Sequence, residues 1–427
     1  MKLFWQILYN LGFLPVLYLG SVVLSLFNKK VRKGLKGRRD SISVLKKFFR
    51  HKEPDRLVYW FHVASHGEYE QVRPVLGGLK EVEPEAVTVV SFFSPSGYEH
   101  AQDPNIDCKV YLPTDFYWNC WRSLRTVRPH KLIFAEYDLW PNFVWCAKRL
   151  GIRTTLFSAR IHKGSSKVWP VLKSLYRQVY KHLDSVYTVS EKDYISVRRL
   201  LGRKNRSVVR VLGNPRYDRV RELAEKSFTD QNASVMERER RLIAGSVWPE
   251  DEEVILPSIL EIMSTMDELL LFWVPHEPTS KFLSRTLRSF ESSGLPAKLF
   301  SQCRDGDIQH YRVIVVDRVG ILAGLYWQGQ IAYVGGGFSS GIHNVMEPAI
   351  ARLPILFGPR FHNSDAAEEL IELGGGFCVT SHHEFQSTVE RLLKDQDFYL
   401  KSSLAATEVI HRNIGSAVRV VRGILRD

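Results

Sequence analysis

Glu68, Glu136, Arg160 and Arg216 each stand just beyond a short apolar run. Two carboxylates and two guanidinium groups gathered at one sheet rim would suit acid–base chemistry on an anionic substrate. The first lies in FHVASHGE, residues 61–68, after the run LVYWF at 57–61. β-Branched and aromatic residues in an unbroken apolar run are what a parallel strand covered on both faces requires. Ligands of open α/β sheets gather at the carboxyl ends of such strands. Glu68 falls there, where a helix over 69–80 would begin. A first-turn Glu also complements the helix macrodipole, so this segment by itself leaves both readings open. Glu136 opens EYDLWPN after the run 131–134, with Asp138 or Asn142 available to cap the helix that Pro141 begins. Ser158-Ala159-Arg160 and Gly213-Asn214-Pro215-Arg216 follow two further runs. Alone, either arginine would be an ordinary surface charge; the shared position after strands singles them out.

A second constellation lies further along. The run 331–334 leads into Gly335-Gly336-Gly337, then FSSGIHN, then Val345-Met346-Glu347-Pro348. Consecutive glycines after a strand let the backbone approach a phosphate, and Pro348 suits the first turn of a helix whose free N–H groups bind anions. Glu347 in that turn could accept hydrogen bonds from two ribose hydroxyls. Gly336, Gly337, Asn344, Val345, Met346 and Glu347 are therefore candidates for a nucleotide site, with a plain turn as the other reading. Ser246, Pro275 and His276 follow two more strand-like runs and mark the matching rim; His276 could equally be a partly buried loop histidine. His62 and His66 lack the HxH or HExxH spacing of a metal site. No metal or other cofactor is expected. A serine hydrolase is not the expected reading.

The elements that would position these residues alternate between strand-like and helix-like. Runs at 57–61, 86–92, 131–134, 154–157, 185–188 and 208–212 are separated by amphipathic stretches such as 143–150, 168–182 and 191–201. A second set occupies 241–244, 269–274, 313–316, 331–334, 355–357 and 376–379. This is the βα alternation of parallel sheets with helices on both faces. At 427 residues the chain is too long for one ordinary core. It is expected to hold two Rossmann-like domains facing a central cleft, at 51–217 and 241–400. A linker over 218–240 breaks at Asp230, Gln231 and Asn232, and a terminal helix over 401–427 crosses back to the first domain.

Five scattered cysteines with no CxxC pair point to a reducing compartment. Leu3 to Phe27 carries no charge and is long enough to span a hydrocarbon core of roughly 30 Å, so residues 1–28 are expected to be an uncleaved membrane anchor. A basic block, NKKVRKGLKGRRD, follows within 29–50 and places the rest of the chain on the cytoplasmic side. Much of the net charge of +13 comes from it. Beside an anchor such a block attracts anionic phospholipids. Nucleic acid is not the expected partner, because these bases are not interleaved with stacking aromatics.

Taken in order, the motifs resemble the bacterial Kdo (3-deoxy-D-manno-octulosonic acid) transferases, over nearly the whole chain. HVASHGE is similar to the family's HAVSVGE, EYDLWPN to ETELWPN, SAR to NAR and GNPRYD to GNLKFD. Further on, AGSVWPEDEE is similar to GSTHxGEE, VPHEP to VPRHP, VGGGFSSGIHNVMEPA to VGGSLVPHGGHNPLEPA and FGPRFHN to GPHxxN. The resemblance implies a GT-B fold at the cell inner membrane, CMP-Kdo as donor and a lipid A precursor such as lipid IVA as acceptor. It makes Glu68 the general base and gives Glu136 and Arg216 the positions that stabilise the transition state. Ser246, Pro275, His276, Val319, Gly320, Ile321, Asn344 and Glu347 fall at nucleotide-contacting positions. Arg216 replaces a lysine, His276-Glu277 an Arg-His, Val319-Gly320-Ile321 a Met-Gly-Glu, and Val247-Trp248 a Thr-His. Contacts to CMP from the changed loops would come largely from backbone, and a different donor or acceptor sugar is one alternative. Others are a sugar-nucleotide epimerase, which the apolar amino terminus argues against, a non-catalytic nucleotide-binding protein, and a nucleic-acid-binding protein with steep salt dependence.

Overall fold

Every run expected to be a strand is one, and two more strands complete a pair of seven-stranded parallel sheets. The computed structural model describes residues 2–50, 56–161, 170–227, 235–304 and 308–427. It divides into two units, Met1–Arg219 with Gly415–Asp427, and Val220–Ile414. The expected break at Asp230, Gln231 and Asn232 lies outside the described residues.

In the first unit the strands are β1 (Val58–Val63), β2 (Val87–Phe92), β3 (Cys108–Tyr111), β4 (Lys131–Ala135), β5 (Arg153–Ala159), β6 (Ser185–Thr188) and β7 (Val208–Val211), in the order β3-β2-β1-β4-β5-β6-β7. Successive β1 side chains enter opposite cores: Val58 and Trp60 pack with Leu132, Phe134 and Phe143, while Tyr59, Phe61 and Val63 pack with Tyr69, Val72 and Ile133. Both faces are covered, which is why the run reads as continuously apolar rather than alternating.

The second unit holds β8 (Arg241–Val247), β9 (Leu270–Pro275), β10 (Ala297–Leu299), β11 (Val313–Val315), β12 (Ile331–Val334), β13 (Ile355–Phe357) and β14 (Gly376–Cys378), in the order β10-β11-β9-β8-β12-β13-β14. The two strands not anticipated, β3 and β10, are both sheet edges. Each carries a lysine, Lys109 or Lys298, in the manner of edge strands that blunt their own pairing.

Residues 401–427, expected as one helix, lie in two: Gln396–Asn413 and Ser416–Arg426. The chain turns between them at Gly415, whose φ of 83° is in the left-handed region that glycine enters without strain. Asp218 caps the second helix, accepting from the amides of Gly415 (2.6 Å) and Ala417 (2.9 Å). That helix fills one face of the first sheet with Ala417, Val420, Val421 and Ile424. Asp427 fixes its end, accepting from Arg210 Nε and Nη2 at 3.1 and 3.0 Å.

One correction concerns a cap. The helix Pro141–Arg149 is capped by neither Asp138 nor Asn142. Asp115, from another loop, accepts from the amides of Asn142 and Phe143, both at 3.1 Å. Among the described residues one helical stretch, Leu3–Phe27, is long and apolar enough to cross a membrane.

Candidate active site

Both sheet orders reverse at one place, between β1 and β4 in the first unit and between β8 and β12 in the second. Diverging connections open a crevice at such a switch point. The first is flanked by Glu68, beyond β1, and Glu136, beyond β4.

Glu68 sits in the first turn of the helix His66–Val82, 8% exposed. Its Oε2 accepts from the Ala64 amide at 2.6 Å, and its own amide donates to Ser65 Oγ at 3.3 Å. This is a variant of the Ser-x-x-Glu cap, in which the carboxylate reaches one residue further back. Burial pushes the carboxyl up to about 8, aided by the charges of Glu136 and Asp138 and opposed by the Ala64 hydrogen bond and Arg216. Glu68 is therefore a capping carboxylate at the sheet rim whose carboxyl is raised by burial.

Arg216 closes the group. Its Nη2 donates to the Gly67 carbonyl at 3.0 Å and lies 3.8 Å from Glu136 Oε1, while its amide donates to Asn214 Oδ1. Glu136 is 6% exposed with a φ of 54°. A non-glycine residue in the left-handed region costs of order 1–3 kcal/mol, and such strain concentrates at functional sites. Ser158, two residues before Arg160, shares this geometry at φ 52°. Arg160 is buried at the end of β5. Behind Glu68, His62 Nε2 meets Asp138 Oδ2 at 3.0 Å, and its Nδ1 faces the carbonyl and hydroxyl of Ser91. Sequence reasoning assigned Asp138 to a cap and missed this pairing; the signal was a polar His62 within an apolar run.

In the second unit Ser246, at φ 54°, sits at an irregularity near the end of β8. The glycines beyond β12 behave differently from expectation. Gly335 donates to the Gly245 carbonyl at 2.9 Å, and Gly336 donates to Asp251 Oδ2 at 2.7 Å, so neither amide is turned to a phosphate. A Cβ on Gly335 would stand 2.2 Å from the Ser246 carbonyl, and one on Gly337 2.5 Å from Gly358. These residues are glycine because three backbone segments meet there.

Asp251, fully buried, organises the loop by accepting from the amides of Trp248 (2.9 Å), Gly336 and Phe338 (3.4 Å) and the Tyr333 hydroxyl (2.8 Å). It was not singled out in the sequence, where it reads as one of several acids opening a helix. Glu347 is brought to Asn344, which donates to it at 2.9 Å; burial raises its carboxyl. Val345 and Met346 lie beside them, Val345 preceding a helix of only one turn, Met346–Ile350. His276 stacks between Trp248 and His343, with centroids 4.2 and 4.4 Å away, and Trp248 Nε1 donates to His343 Nε2 at 2.9 Å. Pro275 ends β9 beneath this stack. Val319, Gly320 and Ile321 form a largely exposed approach to the helix Leu322–Tyr326.

Residues 39–219 match the family described as 3-Deoxy-D-manno-octulosonic-acid transferase (kdotransferase). The chain is 31% identical over 332 residues to the 3-deoxy-D-manno-octulosonic acid transferase of Chlamydophila psittaci, covering 75% of this chain and 74% of that one. The chain belongs to this family. It is thus a Kdo transferase by family, a glycosyltransferase. The transferase of Aquifex aeolicus is 28% identical, over 82% of this chain and 90% of its own. Among solved structures, a UDP-GlcNAc 2-epimerase from Neisseria meningitidis bound to UDP-GlcNAc matches with a TM-score of 0.64 at 13% identity, over 87% of this chain and 100% of that one. A putative UDP-N-acetylglucosamine 2-epimerase from Listeria monocytogenes matches with a TM-score of 0.60 at 10% identity, over 87% and 95%. At such identities the likeness is one of fold, in keeping with a GT-B-type pair of parallel α/β units. Glu136 and Arg216 are in direct electrostatic contact, and Glu68 is joined to them through Gly67.

Proposed function

We propose that this Kdo transferase moves Kdo from CMP-Kdo onto a lipid A precursor of the lipid IVA kind, with inversion at the anomeric carbon and without a metal. The observation that carries this reading is the convergence of Glu68, Glu136 and Arg216 at the switch point of the first sheet. One Glu68 oxygen is held by the Ala64 amide; the other takes the proton as the acceptor hydroxyl attacks. The bond from the anomeric carbon to the CMP phosphate oxygen breaks, and the electron pair leaves with CMP. Arg216 and Glu136 act as an oriented charge pair for the oxocarbenium-like transition state. Ser246, His276, Asn344 and Glu347 hold the nucleotide, together with backbone of the 319–321 loop and of Gly337, Val345, Met346 and Pro275. Arg160 contributes positive charge for the acidic sugar or lipid. The enzyme works on the cytoplasmic face of the inner membrane, bound to anionic phospholipids, a reading supported by the apolar segment 3–27 and the basic segment after it.

The test is transfer of labelled Kdo from CMP-Kdo to lipid IVA by membranes carrying the protein. Product is expected; its absence with both substrates intact would overturn the reading. The charge pair gives a second expected result. Arg216→Lys keeps the positive charge and should retain activity within about tenfold, whereas Arg216→Ala should lose about a hundredfold or more in kcat. Equal loss in both would show that geometry rather than charge matters there.

A further inference from the structure

The segment Leu3–Phe27 meets the requirements of length and composition for crossing a bilayer, yet its early part is docked on the folded first unit. Tyr9 and Leu14 belong to the same apolar core as Trp60, Phe143 and Trp145. Tyr9 is 6% exposed, and its hydroxyl donates to the buried Asp115 at 2.8 Å. The Trp5 indole donates to Ser174 Oγ at 3.0 Å. The side-chain amides of Asn10 and Asn142 bond each other in both directions, at 3.1 and 2.8 Å. Tyr18 packs edge-on to Phe116 at 5.3 Å. From Trp5 to Tyr18 roughly 20 Å of helix therefore runs along the protein surface. From Leu19 to Phe27 only about 13 Å remains, less than half of a hydrocarbon core.

Beyond Phe27 the chain reverses. Asn28 caps a second helix, Lys29–Phe49, by accepting from the amides of Lys30 and Val31, and Arg32 donates back to the carbonyls of Ser25 and Leu26. This returning helix is seated on the protein through Ser41, which donates to the Tyr111 carbonyl at 2.7 Å, and through Arg38, which donates to the Phe93 carbonyl and lies 4.0 Å over the Phe93 ring. Gly34 approaches Pro95, and the helix Pro95–His100 in turn packs at Gly97 against the His66 amide. The hairpin therefore borders the rim that carries Glu68.

The outward face of the first helix is apolar. Leu11 (77% exposed), Val16, Leu19, Val23 and Phe27 (85%) are among the side chains left without protein cover. Soluble surfaces rarely expose a contiguous apolar patch of that extent. Arg32, Lys36 and Arg39 line a groove of about 480 Å³ between the two helices, with Tyr18, Val22 and Phe116 as its apolar wall. Apolar side chains beside a row of cations match the acyl and head-group layers of an anionic leaflet.

We infer that Leu3–Phe27 does not cross the bilayer: the hairpin is a monotopic element, lying in one leaflet with both ends on the side of the catalytic units. This rests on the membrane reading above and deepens it. A spanning arrangement would pull Tyr9 and Asn10 off the protein, leaving Asp115 and Asn142 buried without those partners, and would carry two polar side chains into lipid. An in-plane hairpin instead holds the Glu68 rim at the leaflet surface, where the hydroxyl of a lipid acceptor is presented.

Topology of the full chain tests this. Lys2→Cys and Lys30→Cys, each in a Cys303→Ser/Cys378→Ser background, are treated in inverted inner-membrane vesicles with a membrane-impermeant maleimide. Both sites should react without detergent, to within about twofold of each other, as expected of two ends on one side. If one site reacts only after detergent, the helix spans and the inference fails while the membrane reading stands. If the protein neither floats with vesicles containing anionic phospholipid nor sediments with membranes, the membrane reading itself fails.

Discussion

Replacing Glu68 by glutamine is expected to lower kcat for Kdo transfer by about 10² to 10⁴, the usual contribution of a positioned general base, with little change in KM. Glutamine retains an oxygen to accept from the Ala64 amide, so the cap at the start of His66–Val82 survives and the loss reports proton transfer. The pH dependence sharpens the test. A carboxyl raised to about 8 is ionised in about one molecule in ten at pH 7. Rate should therefore rise close to tenfold per pH unit below about 8 and level above it. Stability should move the other way. Because the folded pKa lies above the unfolded one, this group's contribution is complete below the ordinary carboxyl range and is lost as pH rises through about 8. Glu68→Gln removes that titration, so thermal unfolding of the variant should shift less between pH 6 and pH 9 than that of the wild type. A variant of full activity, or a wild-type profile flat from pH 6 to 9, would remove Glu68 from the role of base.

Why some of this was legible in the sequence, and some was not, follows from where the information lies. Buried parallel strands must be apolar on both faces, so β1, β4 and β12 announce themselves as unbroken runs, and residues just beyond them are placed at the rim without further knowledge. Glu68 and Glu136 were found that way. Edge strands β3 and β10 are short and interrupted by lysine, so they give no such run. Contacts between distant loops leave no local signature at all. Asp115 caps a helix that begins at Pro141, Asp218 caps one that begins at Ser416, and His62 pairs with Asp138. For the Pro141 helix the nearer Asp138 and Asn142 looked sufficient. The glycine run left its partner open, because a glycine needed for close backbone approach looks the same whether a phosphate or another strand approaches. The apolar amino terminus posed a related difficulty. Its length and lack of charge fit a spanning helix, and only the tertiary partners of Trp5, Tyr9 and Asn10 show one face already occupied.

The largest effect on stability is expected at Asp251, which performs in the second unit the organising task that the glycine run had suggested for a ligand. Three backbone amides and one hydroxyl converge on this fully buried carboxylate. In Asp251→Ala all four donors lose their acceptor at once in a site too tight to admit water freely: the Gly335 and Gly337 backbones already meet Ser246 and Gly358. Unsatisfied buried donors cost about 1–3 kcal/mol each, and partial relaxation should leave a net loss of about 3–5 kcal/mol. For a unit of this size that lowers its Tm by roughly 10 °C. Asp251→Asn should fall between. Its oxygen can keep Trp248 and Gly336, while its amide group turns to the Tyr333 hydroxyl, which can accept as well as donate. The two variants separate folding from function. If the carboxylate holds Ser246 and the 335–338 loop in the geometry that receives the nucleotide, Asp251→Asn should raise KM for CMP-Kdo several-fold at temperatures where it remains folded, with kcat nearly unchanged. An Asp251→Ala protein with wild-type Tm would show that the loop finds other acceptors. A stable Asp251→Asn protein with wild-type KM would detach this carboxylate from the donor site and leave it a purely architectural part of the β8–β12 switch point.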